Sequence, residues 1–210
     1  MLKLGKVLIM ANIISISRIV ITFLSLYFLM LQTTSSLLIA LVLIILQFAL
    51  DGVDGYVARK FNEVSKLGAV LDIMGDRIAE NAYWITFAVL GWLPLVFPVV
   101  SLARTIIVDS LRSVAMEQGC TAFGDCSMQK DPVGQFICCS KLMRISYAVA
   151  KALAFVLLTF AAIPVLEPYF AAVMALIGTY AAAIAIVLCV LRGLPVIYES
   201  KRFFVKEENK

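Results

Sequence analysis

Apolar residues run along this chain in six blocks separated by short polar or Pro/Gly-containing breaks. Each block is close to the roughly 20 residues that a helix needs to cross the hydrocarbon core of a bilayer. The blocks predict helices at about Ile13–Leu31, Leu37–Arg59, Gly68–Val89, Val96–Met116, Lys141–Ala162 and Tyr169–Leu191. Polar punctuation falls between them: LQTTSS, KFNEVSK, GWLPLVFP, a longer polar segment from Glu117 to about Gln135, and AAIPVLEP. The N-terminal MLKLGK is short and basic, but the next stretch carries Asn12, Ser15, Ser17 and Arg18 and has no small-residue cleavage site. It therefore reads as the approach to a mature first helix and not as a signal peptide. An amphipathic tail and the polar KRFFVKEENK close the chain. The expected fold is all-α: a polytopic membrane protein of six transmembrane helices in one domain, 1–210.

Composition supports this class. Of 210 residues, 62% are hydrophobic and 15% charged, against about 45–50% and 25% for ordinary soluble domains. Mean hydropathy is +0.99. The chain has no histidine, which removes imidazole acid–base chemistry, His-ligated zinc, phosphohistidine and Ser-His-Asp triads together. Five cysteines, at 120, 126, 138, 139 and 189, match no zinc-ribbon or zinc-finger spacing. They are expected to be free thiols.

The positions of Lys and Arg set the expected topology. Lys3 and Lys6, Lys60 and Lys66, Lys130, and Lys201, Arg202, Lys206 and Lys210 alternate with three turns that hold no Lys or Arg. Both termini are then cytoplasmic, in the cell inner membrane, and the loop between helices two and three faces the cytoplasm.

That loop is flanked by the most unusual stretch of the chain, DGVDGYVARKFNEVSKLGAVLDIMGD, Asp51 to Asp76. Asp51 and Asp54 are spaced i, i+3, and Asp72 and Asp76 i, i+4, so each pair shares one helix face. Gly68, Asp72 and Asp76 form one stripe. Four carboxylates converging at low dielectric need cations to stay ionised. Hard divalent ions, Mg2+ or Mn2+, suit oxygen ligands, and a pair of such ions is a recurring device for phosphoryl displacement. Without histidine, a carboxylate becomes the natural base for an attacking hydroxyl. Two other readings use the same acids: ion pairs with Arg18, Arg59 or Arg77, and a cation or proton path through a carrier.

Asp51, Asp54, Gly55, Ala58, Arg59, Gly68, Asp72 and Asp76 occupy every fixed position of D-x2-D-G-x2-A-R-x8-G-x3-D-x3-D. The stretch thereby resembles the CDP-alcohol phosphotransferase family, whose enzymes transfer a phosphatidyl-type group from a CDP-linked donor to an alcohol and release CMP. The resemblance implies that Asp51, Asp54, Asp72 and Asp76 hold two divalent cations. It implies that Asp76 deprotonates the acceptor, and that Gly55, Ala58, Arg59 and Gly68 line the cytidine diphosphate pocket. It also implies a CDP-diacylglycerol donor, a small polar alcohol acceptor, contact with membrane lipid and a homodimer. No nucleic-acid partner is expected.

Outside that stretch, Arg104, Val108, Leu111, Arg112, Glu117 and Gly119 resemble the R-E-x-x-V-x-x-L-R segment and its following E-x-G in bacterial phosphatidylglycerophosphate synthases. Asn12, Ser15 and Arg18 resemble the N-x2-T-x2-R of that subfamily, and Lys141 the first lysine of its G-K-x-K-T. Thr105, Ser140 and Met143 depart from the pattern. Arg104, Arg112, Lys141 and Arg144 suggest an acceptor bearing its own phosphate; snorkelling to headgroups is the competing reading for the last three. The expected acceptor is sn-glycerol 3-phosphate, giving phosphatidylglycerol phosphate and CMP. Inositol phosphate, serine and phosphatidylglycerol are the alternatives.

Overall fold

A computed structural model of the chain describes residues 2–61, 66–117 and 131–205, with side chains from residue 15 onward apart from 52–61, 66–69, 117, 132–133, 139 and 202–205. The described residues form seven α-helices: α1 Leu2–Leu31, α2 Thr34–Phe61, α3 Lys66–Val89, α4 Val96–Glu117, α5 Pro132–Cys139, α6 Lys141–Ala161 and α7 Pro168–Val205. Six of these correspond to the six apolar blocks. The polar segments at 62–65 and 118–130 lie outside the described residues, as do Cys120 and Cys126.

Three differences from the sequence pattern have local causes. First, α1 starts at Leu2 and not near Ile13: Leu2 to Asn12 holds no proline and a single glycine, so nothing breaks the helix there. Second, the segment expected to remain a polar loop contains the short helix α5. Asp131 caps it by accepting a hydrogen bond from Gly134 N at 3.0 Å, and Pro132 occupies the first turn, where its missing N–H costs nothing. Third, α7 continues past Leu191 to Val205 through Pro195, since a proline within an apolar helix can be accommodated where neighbouring groups re-satisfy the freed backbone.

Among the described residues, three helical stretches are long and apolar enough to cross a membrane, Thr34–Asp51, Gly134–Ala161 and Pro168–Lys201, and Ser15–Leu31 is a shorter apolar stretch. Asp72, Asp76, Arg77 and Glu80 interrupt α3, and Arg104, Asp109 and Arg112 interrupt α4. Large apolar side chains point outward along the helices, including Val42, Val89, Leu95, Leu142 and Ile184. Such a surface suits lipid and not water.

The chain forms two compact units. One comprises Met1–Leu93 with Ala152–Thr179. Its core is aromatic: Tyr83, Trp84, Phe87 and Phe155 are buried, and the Phe155 ring lies 5.2 Å from Tyr83, 4.7 Å from Trp84 and 5.2 Å from Phe87 between centroids. Here α1 packs on α2 and α3. Gly75 faces Ile19 and the Ser15 carbonyl where α3 packs on α1. Inside this apolar core, Tyr83 Oη donates to Gln47 Oε1 at 2.6 Å and lies 2.6 Å from Ser25 Oγ. The three side chains satisfy one another across α1, α2 and α3, as buried polar groups require.

The other unit comprises Pro94–Lys151 with Tyr180–Lys210. Val108, Ala115, Cys138 and Val196 form its buried centre, with Leu111 and Val114 against them. Ser140 separates α5 from α6, and its Oγ accepts from Met143 N at 3.2 Å. The serine that stands where the resembled subfamily has glycine is therefore the N-cap of α6.

Candidate active site

Asp51 sits where the apolar run of α2 ends, and Asp72 and Asp76 lie one turn apart on α3. The i, i+4 spacing turns both α3 carboxylates toward the same side, and α1 supplies what they meet. Arg18 Nη2 is 2.6 Å from Asp51 Oδ1 and 2.5 Å from Asp76 Oδ1, and Nη1 is 2.9 Å from Asp72 Oδ1. Arg18 is buried, 4% exposed, whereas the three carboxylate side chains are 46–47% exposed. Each oxygen acceptor is thus reached from inside by the guanidinium and from outside by solvent. With the acids half exposed, each pair stabilises the fold by about 1 kcal/mol or less, not the 3–5 kcal/mol lost on breaking a buried pair.

One ligand oxygen from each of Asp51, Asp72 and Asp76 lies within 4.8 Å of the others. Three carboxylates gather on one guanidinium, and an all-oxygen donor set is the one that Mg2+ and Mn2+ favour. The residues present therefore fit the implied metal. The backbone of Asp54, Gly55, Ala58 and Arg59 belongs to α2 and that of Gly68 to α3; their side chains lie outside those described. The ion pairing weighed as an alternative is realised with Arg18. Because it engages three acids at once, pairing and metal binding share one set of residues.

The expected acceptor residues lie in the second unit. Arg104 is half-buried on α4, and its Nε donates to the Cys189 carbonyl of α7 at 3.0 Å. Gly193 permits this: a Cβ there would lie 3.2 Å from Arg104 Cγ and Nε and from Val108 Cγ2. Arg112 Nη2 donates to Cys138 Sγ at 3.6 Å. Lys141 and Arg144 are exposed in the first turn of α6. Thr105, where the resembled subfamily has glutamate, is buried with its Oγ1 unbonded.

Arg192 lies outside the residues that the sequence pattern singles out. Its guanidinium carbon sits 5.6 Å from the centroid of the Tyr147 ring, with Lys151 Nζ 5.2 Å from the same centroid. Its Nε is buried without a hydrogen-bond partner. A signal was available: Arg192 is the lone charged residue between Pro168 and Tyr198, and an ionisable residue inside an apolar helix is costly unless it serves a site.

A family model, CDP-alcohol phosphatidyltransferase, matches residues 8–191. The chain belongs to this family of membrane proteins. It is similar to a CDP-diacylglycerol–glycerol-3-phosphate 3-phosphatidyltransferase of Mycoplasma pneumoniae, 35% identical over 83 residues, 40% of this chain and 37% of the relative. An archaetidylinositol phosphate synthase of Aeropyrum pernix is 37% identical over 91 residues, 43% of this chain and 46% of the relative. A CDP-diacylglycerol–inositol 3-phosphatidyltransferase of Arabidopsis thaliana is 55% identical over 38 residues, 18% of this chain and 17% of the relative. The matches thus span less than half the length of these curated relatives, and the relatives differ in the acceptor that their names carry.

Proposed function

We propose that this protein transfers a phosphatidyl group from CDP-diacylglycerol to the free hydroxyl of sn-glycerol 3-phosphate, giving phosphatidylglycerol phosphate and CMP. The observation that carries the reading is the convergence of Asp51, Asp72 and Asp76 within a chain that matches the family model. Asp51, Asp54, Asp72 and Asp76 hold two divalent cations, Mg2+ or Mn2+. When bound, these neutralise the donor diphosphate and the charge that develops during displacement. Asp76 accepts the proton of the acceptor hydroxyl as its oxygen bonds to the phosphatidyl phosphorus and the bond to the CMP oxygen breaks. Gly55, Ala58, Arg59 and Gly68 hold the cytidine diphosphate. Arg104, Arg112, Lys141 and Arg144, with Arg192 added from its buried setting, orient the phosphate of the acceptor. The protein's contribution is positioning and charge complementarity.

In this reading residues 1–210 act as one domain of six membrane spans, with both termini and the aspartates at the cytoplasmic face of the inner membrane. The alternation of Lys/Arg-bearing loops with uncharged turns supports this orientation. The diacylglycerol tails stay in the bilayer, and a homodimer is the assembly that the family suggests.

An inositol-type acceptor is the second reading. It is favoured by relatives named as archaetidylinositol phosphate and inositol transferases and by the departures Thr105, Ser140 and Met143 from the synthase pattern. Membranes carrying the protein, given labelled CDP-diacylglycerol and a panel of sn-glycerol 3-phosphate, inositol phosphate, inositol, serine and phosphatidylglycerol, separate the two. Labelled phosphatidylglycerol phosphate as the main lipid product is expected. A phosphatidylinositol-type product in its place transfers the function to the second reading.

A further inference from the structure

The geometry of Arg18 resembles that of the ion its neighbours are suited to bind. Nη2 lies between Asp51 Oδ1 at 2.6 Å and Asp76 Oδ1 at 2.5 Å, while Nη1 reaches Asp72 Oδ1 at 2.9 Å. One guanidinium nitrogen is shared by carboxylates of two helices, groups that would also hold a divalent cation. Mg2+ takes oxygen ligands at about 2.0–2.1 Å, roughly half an ångström inside the two Nη2 contacts and nearer one ångström inside the Nη1 contact, so side-chain shifts of that size would bring the same oxygens onto an ion. A divalent ion held by the same oxygens would repel a guanidinium at this spacing.

The hold on Arg18 is also confined to its tip. Its Nε is buried and bonds to nothing, so the three carboxylates supply the described hydrogen bonds of its guanidinium. Its backbone is fixed, with the Arg18 carbonyl accepting from Thr22 Oγ1 at 2.8 Å. The side chain is thus a buried stem anchored in α1 and held at its tip by groups that a divalent cation would also claim.

We propose that Arg18 is an exchangeable counter-cation: its guanidinium gathers Asp51, Asp72 and Asp76, and a divalent cation entering the cluster expels it. The inference rests on the reading of these aspartates as metal ligands. It assigns Arg18 two effects. It suppresses repulsion among the acids before the ion arrives, and it lowers the apparent affinity for the ion by competing for the same oxygens.

The test uses the full chain purified in lipid nanodiscs and Mn2+ alone as the probe, with free Mn2+ read by electron paramagnetic resonance. Saturable binding to the unaltered protein, lost in Asp72→Asn, checks the metal-ligand reading; without it that reading fails, and the inference with it. Given that binding, Arg18→Gln is expected to bind Mn2+ about ten-fold more tightly, the effect of removing roughly 1.4 kcal/mol of competition. Unchanged or weaker binding in the folded variant overturns the exchange and makes Arg18 a fixed support for the ligands. A second measurement needs no variant: phenylglyoxal labelling of Arg18 in the unaltered protein, read by peptide mass mapping. Mn2+ is expected to accelerate it several-fold as the guanidinium leaves the cluster. A rate that Mn2+ leaves unchanged or slows overturns the proposal, and this measurement decides alone if Arg18→Gln does not fold.

Discussion

The two units of the chain arrange their charged groups in opposite ways. In the first, three half-exposed carboxylates of α2 and α3 converge on one buried arginine of α1. In the second, Lys151 and Arg192 share the Tyr147 ring, and Arg192 Nε is buried without a hydrogen-bond partner. Neither arrangement is what folding alone would select, because like charges near an apolar core repel and are costly to desolvate. The first suits a cation and the second an anion. Phosphatidyl transfer from a CDP-linked donor to a phosphorylated alcohol needs both.

The largest expected effect breaks the acidic side. Asp76→Asn keeps the shape and removes the proton acceptor, so turnover should fall about 100- to 10,000-fold, the usual contribution of a positioned base, while donor binding largely survives. A quench-flow assay of CMP release, beside a CDP-diacylglycerol binding assay, checks this; substantial residual turnover takes the base role away from Asp76. On the basic side, Arg192→Gln should raise the KM for the acceptor about 10- to 100-fold with a smaller change in kcat, the value of one charge-assisted hydrogen bond. An unchanged KM would reduce Arg192 to a packing partner of Tyr147.

Smaller effects separate site from scaffold. Tyr83→Phe removes the hydroxyl shared with Ser25 and Gln47 and should destabilise the first unit by about 1–3 kcal/mol. A thermal melt in nanodiscs reads the loss, and acceptor preference should not move. Ser140→Ala should cost about 1 kcal/mol through the lost cap of α6, and Ser140→Gly only a few tenths. If Ser140→Gly instead changes the preferred acceptor in the panel assay, that departure from the synthase pattern concerns specificity and not helix capping.

Much of this was legible in the residues. The spacing of Asp72 and Asp76 reports their shared face, because helix periodicity is a local property. The apolar blocks report the long helices for the same reason. What stayed hidden depends on tertiary placement. Arg18 is one of three arginines able to pair with the acids, and the packing of α1 against α2 and α3 is what brings it to Asp51, Asp72 and Asp76. Arg192 falls just past Leu191, where the hydropathy of the sixth block fades, so its place within a helix running on to Val205 is not evident from local pattern. The short α5 is signalled by Asp131 and Pro132, but eight residues give too little periodicity to separate a helix from a turn.

The central claim is that the acidic cluster performs phosphatidyl transfer. The most direct measurement is CMP release by the purified protein in nanodiscs containing CDP-diacylglycerol, with and without Mn2+ or Mg2+, in the presence of sn-glycerol 3-phosphate. The account predicts CMP formed in step with a phosphatidyl product, dependent on the divalent ion and abolished by a chelator. No CMP with any acceptor, together with divalent-ion flux into sealed vesicles carrying the protein, would contradict it and make the aspartates a cation path.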